Sequence, residues 1–320
     1  MVPNGWSKIK LGDLTKVITS GSRDWAKYYA DSGSKFIRMT NLNRHGIHLL
    51  LDDLKYVSVD STSSDGKRTA LQAGDILCSI TAELGKIGWI PENFGEAYIN
   101  QHTALIRIDA KKADSKFIAY QLSSNRINQV INSLNDAGAK AGLNLPTIKA
   151  IPIFYPPLAE QNKIAQILST WDQAISATEK LLENSQQQKK ALMQQLLTGK
   201  KRLLDESGVT FSEEWQLGHL VDIAKISKGK ALSSKDLEIG NYPVIAGGKT
   251  SPYTHSEYTH ENVITVSASG AYAGYVAFYP YKIWASDCSV VSNKIGSDIN
   301  FIYHLLVSMQ TIIYSLQSGG

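Results

Sequence analysis

The chain has 320 residues, of which 43% are hydrophobic and 19% are charged, and its formal net charge is +4. These values exclude a disordered chain and allow two domains, each with its own hydrophobic core. The small net charge does not decide whether nucleic acid is a partner, because lysines and arginines can gather on one face of a domain. No segment has the apolar run of a signal peptide or a membrane span, so we expect a cytoplasmic protein without a membrane partner.

Residues 1–150 are predicted to form a first globular domain. Short runs of apolar and β-branched residues predict strands at 36–39, 75–80 and 104–108, and a helical stretch follows near 114–134. This mixture of strands and helices predicts an α/β (α+β) domain.

A long helix is predicted next, over residues 158–199, within a spacer at 151–206. Residues 158–198 contain neither glycine nor proline, and a heptad seam with alternating steps of four and three runs along them. The seam is apolar except at Thr178, Ser185 and Lys189. Its apolar residues are Ile164, Leu168, Trp171, Ile175, Leu182, Leu192 and Leu196. A helix of this length spans roughly 60 Å, so we expect a partner helix along the seam rather than burial in one small domain.

Residues 207–320 are predicted to form a second globular domain that repeats the first. Strands are predicted at 262–266 and 289–291, and a helix near 298–316. The matching landmarks are Trp6 with Trp215, 11–14 with 217–220, 75–77 with 262–264, Gly85 and Gly88 with Gly270 and Gly274, and 117–118 with 301–302. Because their order is preserved, we interpret them as an internal duplication. We expect the second copy to lack the strand and long helix that follow the first.

Motifs that carry catalytic chemistry are incomplete in this sequence. The run at 247–250, Gly-Gly-Lys-Thr, resembles the end of a P-loop, but Pro243 stands where the first glycine is required. His255 and His260 lack a third ligand, and Cys78 and Cys288 match no metal-ligand spacing. We therefore expect no catalytic residue and no metal site, and we interpret both cysteines as reduced thiols.

Two runs at the ends of the central region resemble one protein family. Residues 151–164 read Ile-Pro-Ile-Phe-Tyr-Pro-Pro-Leu-Ala-Glu-Gln-Asn-Lys-Ile, and residues 195–200 read Gln-Leu-Leu-Thr-Gly-Lys. Together they resemble the central conserved region of type I restriction-modification specificity subunits. The resemblance extends from Trp6 to the C-terminus, although the globular parts match only at scattered landmarks.

The resemblance implies two target-recognition domains joined by a long coiled-coil-type helix, each domain reading one half of a split DNA sequence. It also implies that the chain is non-catalytic and scaffolds other subunits. Modification subunits would methylate adenine with S-adenosylmethionine, and a restriction subunit would use ATP and Mg²⁺. We therefore expect double-stranded DNA and these subunits as partners, and no cofactor in this chain.

Compared with the family pattern, we expect this chain to lack the second conserved helix. We expect the seam of the long helix to be covered by a second copy of the chain in a homodimer, or alternatively by a modification subunit. Two other interpretations stay open, a coiled-coil adaptor without DNA affinity and a shortened, phase-variable specificity fragment. A fused methylation and restriction enzyme would need catalytic motifs that the sequence lacks.

Candidate DNA-binding residues were chosen by chemistry, because Arg and Lys suit guanine or phosphate, and Asn and Gln suit adenine. For any one of them an ordinary solvated loop residue is the alternative. In the first domain the candidates are Arg23, Lys35, Arg38, Asn41, Asn43, Arg44, Lys67, Arg68, Lys86 and Gln101, with His102 beside the last. In the second domain they are Lys228, Lys230, Lys249, Tyr253 and Tyr272, with Ser269 nearby.

Overall fold

The computed structural model describes residues 3–134, 142–233, 235–249 and 251–317. Thr250, the last residue of the run at 247–250, lies outside these ranges. The chain divides into two compact units, Met1–Ala177 (unit 1) and Thr178–Gly320 (unit 2), and the boundary falls inside the long helix. Residues 151–177 therefore group with the first globular part. The domain limits predicted at 150 and 206 stay predictions.

Unit 1 contains short strands and helices joined by loops. Its strands are β1 (Ser7–Lys10), β2 (Thr15–Ser20), β3 (Tyr29–Ala30), β4 (Ser34–Ile37), β5 (Lys55–Val57), β6 (Ile76–Ser79), β7 (Ile87–Trp89), β8 (Ala97–Ile99), β9 (Thr103–Ile108) and β10 (Pro152–Tyr155). Its helices are α1 (Ser64–Thr69), α2 (Ser115–Ser123), α3 (Asn125–Ser133), α4 (Leu145–Lys149) and the first half of α5 (Leu158–Leu196). Short 3-10 turns lie at Leu11–Leu14, Trp25–Tyr28 and Met39–Asn41.

The main sheet of unit 1 is antiparallel throughout and has the strand order β2-β9-β6-β7. A second sheet has the order β3-β5-β4-β8, in which β4 and β8 run parallel. All four residues of β6 are buried, and Ile76, Leu77 and Cys78 are apolar in succession rather than alternating with polar residues. Ile76, Ile106 and Phe117 belong to the core that the main sheet shares with α2.

Unit 2 holds the second half of α5 and a smaller globule. Its strands are β11 (Ala224–Lys228), β12 (Tyr242–Ile245), β13 (Thr254–His255), β14 (Val263–Ser267), β15 (Val276–Tyr279), β16 (Trp284–Ala285) and β17 (Cys288–Asn293). Its further helices are α6 (Leu220–Ile223), α7 (Ile299–Ser308) and α8 (Gln310–Ser315), and a 3-10 turn lies at Gly270–Tyr272.

The strand order of unit 2 repeats that of unit 1. Its main sheet is antiparallel in the order β11-β17-β14-β15, and β12 and β16 form a parallel pair as β4 and β8 do. The predicted fold class, two similar mixed globular domains joined by a long helix, is confirmed. In both units the predicted late helix is in fact two helices, α2 and α3 in unit 1 and α7 and α8 in unit 2.

The late helices also begin in the same way. Asp114 caps α2 by accepting a 2.6 Å hydrogen bond from the Phe117 N–H, and Asp298 caps α7 through the Phe301 N–H at 2.8 Å. An edge-to-face aromatic pair accompanies each cap. The ring centroids of Trp6 and Phe117 lie 6.4 Å apart, and those of Trp215 and Phe301 lie 6.2 Å apart. Trp215 is thus the structural counterpart of Trp6.

The predicted match of residues 11–14 with 217–220 is wrong by three residues. In unit 1 the Asp13 carboxylate accepts from the Lys10 N–H at 3.3 Å and closes the turn Leu11–Leu14. In unit 2 the Asp222 carboxylate accepts from the His219 N–H at 2.6 Å. The counterpart of the turn Leu11–Leu14 is therefore α6, Leu220–Ile223. Leu217 is fully exposed, unlike the buried Leu11. The similarity in residue type between 217–220 and 11–14 is therefore coincidental.

The predicted match of residues 75–77 with 262–264 is wrong by one residue. Ile76 pairs with Ile106 on the central strand, whereas Ile264 pairs with Val291 at the corresponding place, so Ile76 matches Ile264. A shift of one residue exchanges the two faces of a sheet, so the difference decides which side chains share the core.

The predicted pairing of the glycines that follow these strands is also wrong. Gly85 and Gly274 are counterparts, because their N–H groups donate to the carbonyls of Ser79 and Ser267 and their φ angles are +73° and +83°. These φ values favour glycine at both places. The predicted partner of Gly85 was Gly270.

Helix α5 is one continuous helix of 39 residues, as predicted, and ends at Leu196 rather than at residue 199. Gly199 follows with a φ of +70°, a conformation in which helices commonly terminate. Within unit 1 the helix packs through Gln161 and Ala165, which are buried. The Gln161 amide accepts from the Asp114 N–H at 3.0 Å and donates to the Pro156 carbonyl at 2.8 Å.

The predicted seam begins at the packed face of α5, where Ile164 lies against the core of unit 1, and the rest of it is largely exposed. Ile164 and Leu196 are half-buried, and the seam residues between them are exposed. An apolar stripe of this length is therefore open along the helix. Across the described ranges, every helix is too short or too polar to cross a membrane.

Candidate DNA interface: two equivalent loop clusters

In unit 1 the loops that follow β2, β4, β6 and β8 converge at one edge of the sheets. Gly21, after β2, lies so close to the loop after β8 that a Cβ atom would be 2.1 Å from the Asn100 carbonyl oxygen. The Thr81 hydroxyl, after β6, is 3.1 Å from His102 Nδ1 and 3.7 Å from the Met39 sulfur. We call Met39, Thr81, Gln101 and His102 loop cluster 1.

Unit 2 has the corresponding convergence after β11, β12, β14 and β16. The Ser269 hydroxyl donates to a carboxylate oxygen of Asp287, and the Ser267 hydroxyl donates to the Gly247 carbonyl at 2.9 Å. A Cβ atom on Gly247 would lie 2.9 Å from the Ser269 carbonyl oxygen and 3.4 Å from the Asp287 carboxylate. We call Gly247, Ser269 and Asp287 loop cluster 2.

Backbone hydrogen bonds show that the two loop clusters occupy equivalent positions. The Ile80 N–H donates to the His102 carbonyl at 3.0 Å in unit 1, and the Ala268 N–H donates to the Asp287 carbonyl at 3.3 Å in unit 2. Each donor directly precedes the hydroxyl residue of its cluster. Thr81 therefore corresponds to Ser269, and His102 corresponds to Asp287, with a polar side-chain contact between them in both units.

Two predicted cations flank loop cluster 1 by sharing one carboxylate. Glu83, in the loop between β6 and β7, lies 2.9 Å from the Lys86 ammonium and 3.5 Å from the Arg44 guanidinium. Its hydrogen bond to Lys86, with a smaller contribution from Arg44, holds the pKa of Glu83 below its ordinary value. Arg44 also donates to the Asn128 amide oxygen at 2.8 Å. Both cations are thereby held at the β6–β7 loop.

Three further predicted cations lie near the loop after β2. Arg68 donates to the Ser22 hydroxyl at 2.5 Å and lies 3.7 Å from Asp65. Arg23 and Lys67 are exposed, and within the described ranges neither side chain has a hydrogen bond or ion pair. These two side chains are therefore available to an external anion.

Asn41 was predicted to read a base, but its contacts oppose that role. The side chain is buried, its oxygen accepts from the Arg38 N–H at 3.0 Å, and its amide nitrogen donates to the Leu50 carbonyl at 2.8 Å. Arg38 itself donates to the Asp53 carboxylate at 2.7 Å, and this bond lowers the pKa of Asp53. Asn41 and Arg38 therefore hold the loop after β4 together.

Lys35 and Asn43 also have structural contacts. The Lys35 ammonium donates to the Phe94 carbonyl and lies 4.7 Å from the centroid of the Phe94 ring. The Asn43 side-chain oxygen accepts from the His45 N–H at 3.0 Å. Gln101, in contrast, belongs to loop cluster 1, where its amide nitrogen is 3.0 Å from His102 Nε2.

The predicted residues of unit 2 are exposed, and two of the lysines lie over aromatic rings. The Lys249 ammonium is 5.2 Å from the Tyr272 centroid, and the Lys230 ammonium is 4.8 Å from the Trp284 centroid. Lys228 ends β11 and Tyr253 precedes β13, and both side chains are exposed. Lys249 is two residues from Gly247, so it lies beside loop cluster 2.

Thr81, Asp287 and the packing role of Gly247 were missed by reasoning from the sequence. A hydroxyl, a carboxylate and a glycine carry none of the cationic or amide groups on which the sequence-based candidates rest. An alignment that placed Ile76 over Ile264 would have placed Thr81 over Ser269. Among the described residues, no group of three or more His, Cys, Asp and Glu side chains is arranged to hold a metal ion.

Comparison with known proteins gives one consistent result. The 24% identity with the MjaVIII type I restriction enzyme specificity subunit of Methanocaldococcus jannaschii extends over 63% of this chain and 48% of that protein. The MjaX specificity subunit of the same organism is 29% identical over 100% of this chain and 80% of its own length. The Mycoplasma pneumoniae specificity subunit S.MpnORF507P is 25% identical over 66% of this chain and 58% of its own length. The chain thus spans about half the length of some of these relatives.

Solved structures share the fold. The S subunit of a type I restriction-modification system from M. genitalium superposes with a TM-score of 0.64 at 17% identity, over 98% of this chain and 80% of that one. A structure from a study of complex assembly and conformational transition of the type I R-M system superposes with a TM-score of 0.54 at 15% identity. This superposition covers 99% of this chain and 82% of that one. The family model described as "Type I restriction modification DNA specificity domain" matches residues 3–185 and 212–320, one match for each repeat. The chain therefore belongs to the type I restriction-modification DNA specificity family.

Proposed function

We propose that this chain is the DNA-reading specificity subunit of a type I restriction-modification complex, and that each unit reads one half of a split target. One observation carries the proposal, the presence of equivalent loop clusters at the same edge of two repeated folds. Their side chains differ, with Thr81 and His102 in unit 1 and Ser269 and Asp287 in unit 2. One backbone frame with different side chains is what reading two different half-sites requires.

The exposed cations around the loop clusters are proposed to bind phosphates. Arg23 and Lys67 in unit 1, and Lys228, Lys230 and Lys249 in unit 2, are exposed. Such contacts position a protein on DNA without selecting a sequence.

The catalytic steps are proposed to belong to partner subunits. Modification subunits would supply S-adenosylmethionine-dependent adenine methylation, and a restriction subunit would supply ATP- and Mg²⁺-dependent cleavage. Support comes from the family membership and from the broken motif at 247–250, where Gly247 is instead packed against Ser269. In this complex the chain would act as the scaffold.

The exposed stripe of α5 is proposed to pack against the same stripe of a second copy. The positions of the stripe recur in steps of three and four, the spacing by which two helices interlock, and seven of the ten are apolar. A stripe that repeats along one helix is self-complementary when two copies are related by a twofold axis. The alternative occupant is a modification subunit.

Binding of the full chain to duplex DNA over a series of salt concentrations tests the proposed function. Affinity should fall linearly on a double-logarithmic plot, because each phosphate contact releases counterions. The double variant Arg23→Gln/Lys67→Gln should reduce the slope by about two, at ~0.9 for each lost contact. Lys111→Gln, an exposed lysine beyond the far end of β9, is the matched control and should leave the slope unchanged. Absence of duplex binding at low salt would instead support the adaptor function.

A further inference from the structure

We infer that Asp287, at the position that His102 holds in unit 1, discriminates between bases, and that it selects a base presenting an amino group, cytosine or adenine, in one half of the target. This inference rests on the proposed function and deepens it. It assigns a chemical preference to unit 2 that neither the family nor the fold supplies.

The position of Asp287 follows from the register of the repeat. The carbonyl of residue 287 accepts from Ala268, as the carbonyl of His102 accepts from Ile80. Both residues lie between the last strand of the parallel pair and the central strand of the main sheet, at the edge where the loops converge. Only the side chain differs, an imidazole in unit 1 and a carboxylate in unit 2.

The neighbours of Asp287 fix its carboxylate without neutralising it. The Ser269 hydroxyl donates to one oxygen, and the absence of a side chain at Gly247 leaves room for this contact. No ion pair of Asp287 occurs among the described residues, and the residue is exposed. One oxygen atom is therefore left to accept a hydrogen bond from outside.

An ionised carboxylate only accepts hydrogen bonds. In the major groove the base-edge donors are the N4 amino group of cytosine and the N6 amino group of adenine, whereas guanine N7 and O6 and thymine O4 are acceptors. Asp287 would thus attract an amino group and repel the acceptor edges. A negative charge also weakens the general attraction to phosphates, so the Asp287 carboxylate suits a base contact rather than a backbone contact.

Unit 1 presents a different pattern at the same place. Both nitrogens of the His102 ring are near polar partners, Nδ1 at the Thr81 hydroxyl and Nε2 at the Gln101 amide nitrogen. The amide of Gln101 offers both a donor and an acceptor, as adenine recognition requires. The two units should therefore prefer different half-sites.

Selection of bound duplexes from a randomised pool, by the wild-type chain and by variants in parallel, tests the inference. Asp287→Ala, which removes the acceptor without adding an adenine-reading amide, should reduce the preference for cytosine or adenine at a position in one half of the selected sequence, by roughly 5- to 150-fold. Ser269→Ala should weaken the same preference by freeing the carboxylate. His102→Asn should change the other half alone.

The control is Glu261→Gln, which removes an exposed carboxylate at the opposite end of β14 and should leave both halves unchanged. A thermal melt of each variant identifies any that fail to fold, in which case the Ser269→Ala result decides. If both Asp287→Ala and Ser269→Ala retain the base preference, or if both halves of the target change equally, the inference is overturned while the proposed function stands. If the wild-type chain enriches no sequence, the proposed function itself fails, and the inference with it.

Discussion

Replacing Leu168 and Ile175 with glutamate should abolish self-association of the chain through α5. Both residues lie on the exposed stripe and are seven positions apart, so they occupy the same place in successive heptads. In an antiparallel pair of helices each glutamate would replace an apolar side chain in the interface and would have to lose its water of hydration. A buried unpaired charge is strongly unfavourable there.

The expected magnitude follows from the exposed surface of the stripe. The exposed fractions are 39% for Leu168, 66% for Trp171, 54% for Ile175, 60% for Leu182 and 45% for Leu192. Full burial of such a side chain contributes ~1.5–3 kcal/mol, so covering the exposed half contributes about 1 kcal/mol each, and about 10 kcal/mol over two copies. Association costs ~4–15 kcal/mol, so the dimer should be reversible. Four glutamates per dimer remove at least about 4 kcal/mol, more than a hundredfold in Kd.

Sedimentation of the purified chain at several concentrations measures this association. The wild-type mass should rise with concentration towards a dimer, and that of the double variant should stay at a monomer. Gln166→Glu/Gln173→Glu is the matched control, because it places the same charges seven residues apart on another face of α5. At most about 6 kcal/mol remains after the smallest association cost, which corresponds to a Kd of roughly tens of micromolar. A wild-type chain that still sediments as a monomer at roughly 1 mM would therefore refute self-association through the stripe.

Three further predictions concern stability and reactivity. Asp75 is buried and forms two 2.7 Å hydrogen bonds with Arg107, so Asp75→Ala should cost ~3–5 kcal/mol in denaturant unfolding; a loss below about 1 kcal/mol would contradict this. Gly21→Ala should lower the melting temperature because its Cβ would be 2.1 Å from a carbonyl oxygen, whereas Gly46→Ala, with 3.7 Å to the nearest atom, should not. Burial raises the pKa of the Cys78 thiol to about 12 and that of Cys288 to about 11, so thiol reagents at pH 8 should label both only after unfolding.

The long helix and the duplication were predictable because both leave strong local patterns. Residues 158–198 lack glycine and proline and keep a heptad spacing, and Phe117 and Phe301 follow equivalent capping aspartates. Residue types alone did not predict which residue of unit 1 corresponds to which residue of unit 2. It is fixed by strand pairing between distant residues, as Ile76 with Ile106 shows.

The candidate site was predicted less completely than the fold. Residue type alone made Asn41 an attractive base reader, but the folded loop buries it and satisfies its amide. Asp287 was missed because a search for cationic and amide side chains passes over a carboxylate. Its relevance depends on the hydroxyl of Ser269, which is 18 positions away in sequence and adjacent in the fold.

Hydroxyl-radical footprinting of the full chain on a duplex selected from a randomised pool tests the central claim most directly. Two equivalent loop clusters reading two half-sites should give two protected tracts of different sequence, separated by an unprotected gap. The footprint should disappear on a scrambled duplex, because base contacts rather than phosphate contacts determine the position. A single continuous tract, or equal protection of selected and scrambled duplexes, would contradict the account.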